Sequence, residues 1–287
     1  MSLDNIKDFL ENAPHMSTRE LAERYNIDEE TVRLWKTKED KETKFPPSVV
    51  GPYNKFITVN SDKCLILSDI EVPCHDAETL DISLDLSKKF KLDTLIINGD
   101  FIALDSFSAW AKSTVSRIAF SDEKEPAIQI LKLFLSHFPK IVIITGNHER
   151  RLPHLVDGHI SVGTFFTTLA GVEFSEYAFC YLRSGGKKFL CCHPDNYSRV
   201  PLTVARGIAS IHQINVITGH SHHLAQGYDV SGKHLCIEAG SARLSDRTWY
   251  KASRSNLFPR WNLGGVMVID GNPYLFNKDN FSFYMGL

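Results

Sequence analysis

The stretch Ile141-Val-Ile-Ile-Thr-Gly-Asn-His-Glu149 joins an aliphatic run to a short polar motif. An uninterrupted aliphatic run of this length is typical of a strand that is buried on both faces. Polar residues directly after such a strand lie at the edge of the sheet, where α/β proteins bind their ligands. The stretch therefore predicts an α/β fold with a functional site beside Gly146-Asn147-His148-Glu149.

Four further apolar runs are each followed by polar residues of similar kinds. The runs are Cys64–Leu67, Leu95–Ile97, Phe189–Cys192 and Val216–Ile217. The polar residues after them are Asp69-Ile-Glu71, Gly99-Asp100, His193 and Gly219-His220-Ser221-His222. Carboxylate, amide and imidazole groups are the ligands of hard and borderline divalent metals. Five strand ends with such side chains predict one shared metal site.

Composition divides the chain into three regions. Residues 1–44 are rich in charge and lack strand-like runs, whereas residues 45–60 contain Pro46-Pro47 and Gly51-Pro52 and are predicted to be a linker. From residue 61 to 287 strands alternate with helices at first, and one of these helices is expected over residues 123–138. Later segments are mainly strands with short turns, such as Ser184-Gly185-Gly186. This order predicts an α/β (α+β) domain with two packed mixed β-sheets flanked by helices.

The N-terminal region is predicted to be a small all-α unit. Ser17 and Glu20 form a capping-box pattern before a helix over Thr18–Tyr25. Asn26 suits the turn that follows, and Asp28 can cap a second helix that runs to about residue 36. The spacing resembles a helix-turn-helix of DNA-binding proteins, with an earlier helix near residues 4–12.

The function of this N-terminal unit stays open between three alternatives. Its presumed recognition helix offers three candidate nucleic-acid contacts, Thr31, Arg33 and Lys36. Residues 1–44 contain eight Lys or Arg and eleven Asp or Glu residues, and a net negative charge opposes strong non-specific DNA binding. Because of the resemblance to a helix-turn-helix, nucleic-acid binding is nevertheless favoured over protein–protein contact and over a purely structural cap. Docking geometry is the deciding test.

Bulk composition places the chain among soluble globular proteins. It has 287 residues, 43% of them hydrophobic, and a net charge of −2, so any nucleic-acid contact must be local. The six cysteines form no C-x-x-C pair and are expected to be buried in a reducing compartment. No apolar stretch reaches the length of a bilayer span, and we therefore expect a cytoplasmic protein without membrane contact.

The ordered motifs resemble the calcineurin-like metallophosphoesterase family over roughly residues 63–240. Gly146–Glu149 and Gly219–His222 carry most of this resemblance, and the three weaker motifs occur in the matching order. The resemblance implies hydrolysis of a phosphoester by a dinuclear metal centre with a bridging hydroxide. Mn²⁺ is favoured for its two ions, with Mg²⁺, Fe or Zn²⁺ as alternatives.

The resemblance also implies roles for individual residues. Asp100 would bridge the two ions. The first ion would be held by Asp69, Glu71, Asp100 and His222, and the second by Asp100, Asn147, His193 and His220. His148 would face the substrate and stabilise or protonate the leaving group, whereas Glu149 is expected to orient or cap rather than react.

The chain departs from the family pattern at two places. Position 71 is Glu where the family normally has His; a carboxylate there favours a hard ion or else weakens the first site. A histidine at position 71 is therefore expected to keep activity and to widen the choice of metal. His75 is expected to line the cleft rather than to ligate. The second departure follows Gly99-Asp100, where Asp105 is the candidate partner of His148 but the spacing differs from that of protein phosphatases.

A basic and aromatic segment is the second indication of a substrate. Residues 243–260 contain five Lys or Arg residues and one Asp, interleaved with aromatic residues, which suits phosphate contact and base stacking. The candidate substrate contacts are Arg243, Arg247 and Arg254, together with His75 and with Arg150 and Arg151, which directly follow the motif Gly146–Glu149. The alternative is a solvated loop with packed tryptophans.

These observations favour a phosphodiesterase or nuclease that acts on nucleic acid, with DNA bound through the helix-turn-helix. One alternative is a phosphomonoesterase that acts on a phosphoprotein or a small phosphate. Another is a DNA- or protein-binding adaptor with a degenerate metal site. The sequence does not predict an oligomeric state.

Overall fold

The computed structural model describes residues 15–33, 55–108, 118–244 and 261–286. The chain divides into two compact units, residues 1–54 and residues 55–287, and each is described by itself. The first unit falls within the expected N-terminal region and linker. The second unit contains all five motifs.

The described part of the first unit contains one complete helix and the start of another. Helix α1 (Thr18–Tyr25) begins at Ser17, which forms the predicted capping box with Glu20. Asn26 ends the helix in a left-handed conformation, with a φ of 51°. Residues 29–33 are again helical, and the side chain of Asp28 accepts a hydrogen bond from the amide of Thr31 at 2.8 Å. The expected helix near residues 4–12 and Lys36 lie outside the described residues, so the helix-turn-helix stays a prediction.

The second unit contains two six-stranded sheets. The first sheet has the order β1-β6-β7-β8-β10-β9 and the second has the order β12-β11-β2-β3-β4-β5. Strands of the first sheet are β1 (Thr58–Asn60), β6 (Phe179–Ser184), β7 (Lys187–Cys192), β8 (Asn215–Thr218), β9 (Leu224–Tyr228) and β10 (Leu235–Ala239). Strands of the second sheet are β2 (Lys63–Leu67), β3 (Thr94–Ile97), β4 (Lys140–Ile144), β5 (Val172–Ser175), β11 (Gly265–Ile269) and β12 (Asn272–Phe276).

Both sheets are mixed, as the sequence predicts. Strands β2, β3, β4 and β5 pair in parallel, and β11 and β12 add antiparallel strands to the same sheet. In the other sheet β7, β8 and β10 are parallel neighbours, whereas β6 and β9 are antiparallel to them. The predicted turn at Ser184-Gly185-Gly186 joins β6 and β7, and both glycines have a positive φ. The expected architecture is confirmed.

Helices cover the outer faces of the sheets. The described helices of this unit are α2 (Ala77–Phe90), α3 (Phe120–Leu135), α4 (Arg151–Leu155), α5 (Gly163–Phe166), α6 (Thr203–His212) and α7 (Phe281–Met285), with a 3-10 turn at Asp105–Phe107. None of these helices is long and apolar enough to cross a membrane. The expected helix over residues 123–138 begins three residues earlier, because Asp122 accepts a hydrogen bond from the amide of Ala119. Strand β1 lies inside the expected linker. Its residues form a strand because they pair in parallel with β6.

The continuous apolar runs are explained by burial on both faces of each sheet. Ile66 of β2 packs between the two sheets with Ile217 of β8, whereas its neighbours Leu65 and Leu67 pack beneath the helices on the other face. Side chains alternate between faces along a strand, so a strand covered on both sides needs apolar residues at every position. All six cysteines are free thiols, and five of them are buried.

Candidate metal centre

The site lies where the carboxyl ends of strands from both sheets meet. Strands β2, β3 and β4 end at this edge of one sheet, and strands β7 and β8 end at the facing edge of the other. Asn98, which directly follows β3, joins the two edges. Its amide nitrogen donates to the carbonyl oxygens of Cys192 and Ile217 at 3.1 and 3.3 Å, and its own carbonyl oxygen lies 2.9 Å from Nδ1 of His193.

Six of the seven predicted metal ligands fall into overlapping groups at this edge. Within each group, one ligand atom from every residue lies within 4.8 Å of the others. The groups are Asp100, His193 and His220; Asp69, Glu71 and His222; and Glu71, Asp100 and His148. Asp100 and Glu71 each belong to two groups, so their carboxylates lie between the remaining ligands.

The group around Asp100 includes the seventh predicted ligand. Nε2 of His193 lies 3.2 Å from Oδ2 of Asp100 and 3.2 Å from Oδ1 of Asn147. Adjacent ligand atoms on an octahedral ion with bonds of about 2.1 Å are about 3 Å apart. The spacing of these three atoms therefore fits a single divalent ion.

The group around Asp69 has the same kind of spacing. Nε2 of His222 lies 3.1 Å from Oδ1 of Asp69 and 3.6 Å from Oε1 of Glu71. Oδ1 of Asp69 is buried and accepts no hydrogen bond from any residue that the structure describes. Its other oxygen accepts from Ser68 and from the amide of His220. A buried carboxylate oxygen that faces an imidazole nitrogen without a hydrogen bond suits coordination of a cation.

The backbone at these ligands is held in a rarely used conformation. Five of them have a left-handed φ, namely Asp69 at 51°, Glu71 at 47°, Asp100 at 52°, His220 at 72° and His222 at 57°. For residues other than glycine this conformation costs free energy and clusters at functional sites. This left-handed conformation occurs at the ends of several strands, where the five side chains approach one another.

Glu149 orders the backbone beneath the ligands, as the sequence predicts for a residue that orients rather than reacts. One of its oxygens accepts hydrogen bonds from the amides of Phe101 and Ile102, at 2.8 and 3.2 Å. The other accepts from the amides of Asp100 and Gly146, at 2.9 and 2.8 Å. This buried carboxylate thereby ties the segment after β3 to the segment after β4. Burial and the nearby Asp100 raise its pKa to about 7.

The electrostatics of the site favour positive charge at its centre. Burial opposes the charge of Asp100, but His148 and His193 outweigh it and hold the pKa of this carboxyl far below its usual range. Burial alone would lower the pKa of His193, yet Asp100 raises it to about 10. The pKa of Asp69 is also lowered, by His222 and His193, against the effect of burial. The ligands thus hold a proton where a metal ion would place its own charge.

His148 lies beside the candidate ligands, but its contact with Asp105 is indirect. Its amide donates to Oδ1 of Asp100 at 2.8 Å, and its Nε2 lies 3.1 Å from Nη2 of Arg151. Arg151 in turn donates through Nη1 to Oδ1 of Asp105 at 2.6 Å. Arg151 therefore stands where the sequence suggested that Asp105 would meet His148. Burial and Arg151 both lower the pKa of His148, against the opposing effect of Asp100.

The candidate substrate contacts are placed differently from one another. Arg150 forms an ion pair with Asp195 at the surface. Arg243 is 4% exposed and forms an ion pair with Glu71, so it lies within the site rather than on a surface loop. His75 is half-buried, belongs to none of the three ligand groups, and pairs through its backbone with Arg243. Arg247 and Arg254 lie outside the described residues.

The candidate nucleic-acid contacts of the first unit make local bonds. The hydroxyl of Thr31 donates to Asp28 at 2.7 Å, and Arg33 lies 3.5 Å from the carboxylate of Glu29. These bonds stabilise the start of the second helix. Thr31 is half-buried, whereas Arg33 is exposed at the surface of that unit.

Sequence reasoning missed Asn98, the position of Arg151 beside His148, and the partner of Glu71. Asn98 directly precedes Gly99-Asp100 at the end of a strand, which was the available signal for a polar residue at the sheet edge. The other two contacts depend on how distant segments approach one another. A local sequence pattern does not predict such contacts.

Comparisons with known proteins agree with this arrangement. A family model described as calcineurin-like phosphoesterase matches residues 63–249. No curated protein matches the chain at a significant level.

Several solved structures are similar in fold at low sequence identity. The YfcE phosphoesterase from E. coli is 12% identical, with a TM-score of 0.39, and the match covers 75% of this chain and 97% of that chain. A Vps29 variant from Entamoeba histolytica is 15% identical, with a TM-score of 0.39 and coverages of 75% and 99%. Vacuolar protein sorting 29 from Cryptosporidium parvum is 16% identical, with a TM-score of 0.38 and coverages of 75% and 96%.

Proposed function

The chain belongs to the calcineurin-like phosphoesterase family, and from this premise we propose that it hydrolyses phosphoesters with two divalent metal ions. The observation that supports this most directly is the shared position of Asp100. Its carboxylate belongs to one ligand group with His193 and His220 and to another with Glu71 and His148. A carboxylate in that position can serve two ions at once.

Two ions would share these ligands. Asp69, Glu71 and His222 would bind the first, and Asn147, His193 and His220 the second, with Asp100 between them. Two divalent cations would supply an activated water and neutralise the charge that develops on the phosphoryl oxygens. The mixture of carboxylate, amide and imidazole ligands supports Mn²⁺, with Mg²⁺, Fe or Zn²⁺ as alternatives.

His148 would act on the substrate rather than on a metal. Arg side chains have only donor groups, so the contact with Arg151 makes Nε2 of His148 the acceptor and places the ring proton on Nδ1. Nδ1 is buried and lies 3.4 Å from Oε2 of Glu71, so a substrate would displace this contact before the Nδ1 proton could be donated to the oxygen of the leaving group. Asp105 would keep Arg151 in place through its 2.6 Å hydrogen bond.

For the substrate we propose a phosphodiester, in nucleic acid. Aromatic rings beside the ligands support this assignment. Trp261 stacks on His222 with a centroid distance of 4.1 Å, and Tyr197, which is 53% exposed, lies 6.5 Å from the ring of His220. An exposed aromatic ring such as that of Tyr197 can serve as a stacking platform for a base. The N-terminal helices would add a contact to duplex DNA.

A phosphomonoester is the second candidate substrate, because the described cations near the site are already paired. Arg150 is paired with Asp195, and Arg243 is paired with Glu71. A polynucleotide would need unpaired cations for its phosphates. A non-catalytic adaptor is the remaining alternative, and the proximity of all seven candidate ligands argues against it.

Parallel hydrolysis assays separate these functions. Metal-stripped protein would be supplied with Mn²⁺ and offered bis-p-nitrophenyl phosphate and p-nitrophenyl phosphate, with Asp100→Asn as the matched inactive control. Faster hydrolysis of the diester supports the proposal, and faster hydrolysis of the monoester supports the second candidate. Absence of Mn²⁺-dependent hydrolysis of both would leave the adaptor.

Binding to nucleic acid would be measured separately. We expect affinity for DNA or RNA that falls as salt rises, because such binding releases counterions. Removal of residues 1–44 should weaken duplex binding and leave hydrolysis of the small diester unchanged. A lack of salt-sensitive binding at low ionic strength would reject nucleic acid as the substrate.

A further inference from the structure

Glu71 and Arg243 form a buried pair at the position where the chain departs from its family. The carboxylate of Glu71 is 2% exposed and the side chain of Arg243 is 4% exposed. Oε1 of Glu71 faces Nε2 of His222 at 3.6 Å, whereas Oε2 forms an ion pair with Nη1 of Arg243 and lies 3.4 Å from Nδ1 of His148. The two oxygens of this carboxylate therefore have different neighbours.

Backbone hydrogen bonds fix Arg243 next to the first motif. His75 and Arg243 form an antiparallel bridge, and the amide of Leu244 donates to the carbonyl of Cys74 at 2.9 Å. The amide of Arg243 also donates to the hydroxyl of Ser241 at 3.0 Å. The ion pair thus joins two segments that are already held together, and Arg243 needs little additional ordering to reach Glu71.

The pair balances charge at the first ligand group. A neutral histidine at position 71 would add no charge to this group, whereas Glu71 adds one negative charge beside Asp69 and Asp100. Arg243 adds one positive charge, so the pair as a whole is neutral, as a histidine would be. A buried carboxylate or guanidinium without its partner is costly, because neither charge can recover its hydration.

We propose that Arg243 is a positioning residue for Glu71, and that the two residues together replace the histidine of the family. Arg243 holds Oε2, which leaves Oε1 directed toward His222 and Asp69 as the ligand atom. This inference deepens the proposed function and rests on it where the metal is concerned. It gives Arg243 a role other than contact with the substrate phosphate.

The pair changes the expected effect of a histidine at position 71. Sequence alone favours Glu71→His as a substitution that restores a ligand. In the structure this substitution removes the carboxylate that forms an ion pair with the buried guanidinium of Arg243. Only a simultaneous change of Arg243 to an uncharged side chain would make the histidine acceptable.

A double-mutant cycle in the absence of metal tests the pair itself. Thermal unfolding in EDTA would be compared for wild type, E71H, R243M and E71H/R243M. Each single substitution should lower the melting temperature by roughly 10 °C, since breaking a buried ion pair is strongly destabilising. The double variant should melt above both single variants. Any other order would overturn the coupling.

Mn²⁺ titration of metal-stripped protein then tests the positioning role. R243M should weaken one of the two sites roughly tenfold and leave the other unchanged, because a partner that orients a ligand acts on that ligand's ion. E71H/R243M should bind both ions. R183M is the matched control, since the side chain of Arg183 is exposed. The backbone of Arg183 lies opposite Lys188 in the β6–β7 register, at the end of β7 away from His193.

The outcomes of the titration are distinct. Wild-type affinity at both sites in R243M would overturn the positioning role. A wild-type protein that binds no Mn²⁺ would reject the proposed function and the metal-directed role together. The cycle in EDTA would then still decide whether Glu71 and Arg243 are coupled.

Discussion

Replacement of Gly146 by alanine tests whether close contact between two motifs positions Asp100. Gly146 follows β4, and its amide donates to Glu149 at 2.8 Å. A Cβ atom at Gly146 would lie 2.1 Å from Oδ1 of Asp100 and 2.4 Å from its amide nitrogen. The φ of Gly146 lies outside the left-handed region, so alanine meets no backbone penalty. Any effect must come from this contact.

The size of the effect follows from the required displacement. The carboxylate of Asp100 would have to move by roughly 1.4 Å, from 2.1 Å to an ordinary contact distance of about 3.5 Å. A misplacement of about 1 Å at a reacting centre can cost roughly a hundredfold in rate. Forcing an extra methyl group into a packed site costs about 1–3 kcal/mol, which lowers the melting temperature of a domain of this size by about 5 °C.

The assay compares G146A with the same substitution at an exposed helical position. Gly207 lies within α6, and a Cβ atom there meets nothing within 4 Å. G207A should raise the free energy of unfolding by about 0.5–1 kcal/mol, because alanine favours helix over glycine, and should leave activity unchanged. G146A should lose Mn²⁺ affinity and hydrolysis of bis-p-nitrophenyl phosphate. Wild-type turnover and Mn²⁺ binding in G146A would show that the close contact with Gly146 does not position Asp100.

Three further predictions concern the ligands, His148 and a turn remote from the motifs. Asp100→Asn should lower hydrolysis at least about a hundredfold and reduce bound metal while circular dichroism stays unchanged, since a bridging carboxylate serves both ions; retained metal would contradict the bridging role. His148→Ala should slow esters with poor leaving groups about a hundredfold or more, and nitrophenyl esters far less, without loss of metal; equal losses would exclude help to the leaving group. Burial opposes the charge of Asp229, yet hydrogen bonds from His234 and Ser231 hold the pKa of this carboxyl below its ordinary 3.8. Asp229→Asn should therefore lower the free energy of unfolding at neutral pH. The difference from wild type should shrink progressively as the pH falls below about 4. Urea titrations that show a difference independent of pH would contradict this.

The sheet and most of the site could be predicted because their signals are local. Ile141–Ile144 is apolar at every position, since the strand is buried on both faces, and the motif after it marks the carboxyl edge. Glycines in the turn after β6 have a positive φ, which explains why that turn was visible in the sequence. The same pattern of polar residues after apolar strands predicted that the five motifs share one site.

The remaining elements lacked such signals. Strand β5 (Val172–Ser175) has mixed burial, and β1 (Thr58–Asn60) has three residues next to a proline-rich segment. Strand identity there comes from pairing with β4 and β6 rather than from composition. Helix α6 was missed although its buried residues, Ala205 and Ala209, are four apart, because both are small.

The charged contacts of the site could not be predicted from the sequence either. Arg243 reaches Glu71 only because the segment after β10 lies along the segment after β2. Arg151 stands between His148 and Asp105 because α4 begins directly after the motif Gly146–Glu149. Both arginines looked like substrate contacts in the sequence, since a local pattern gives charge but not the partner of that charge.

The most direct test of the account is the number of Mn²⁺ ions that the protein binds. Metal-stripped wild-type protein would be titrated with Mn²⁺ by calorimetry, and the bound metal would be counted by elemental analysis after desalting. We expect two ions per chain, one held with Asp69, Glu71 and His222 and the other with Asn147, His193 and His220, with Asp100 shared between them. A single ion would contradict the bridging position of Asp100, and no bound ion would contradict the metal centre itself.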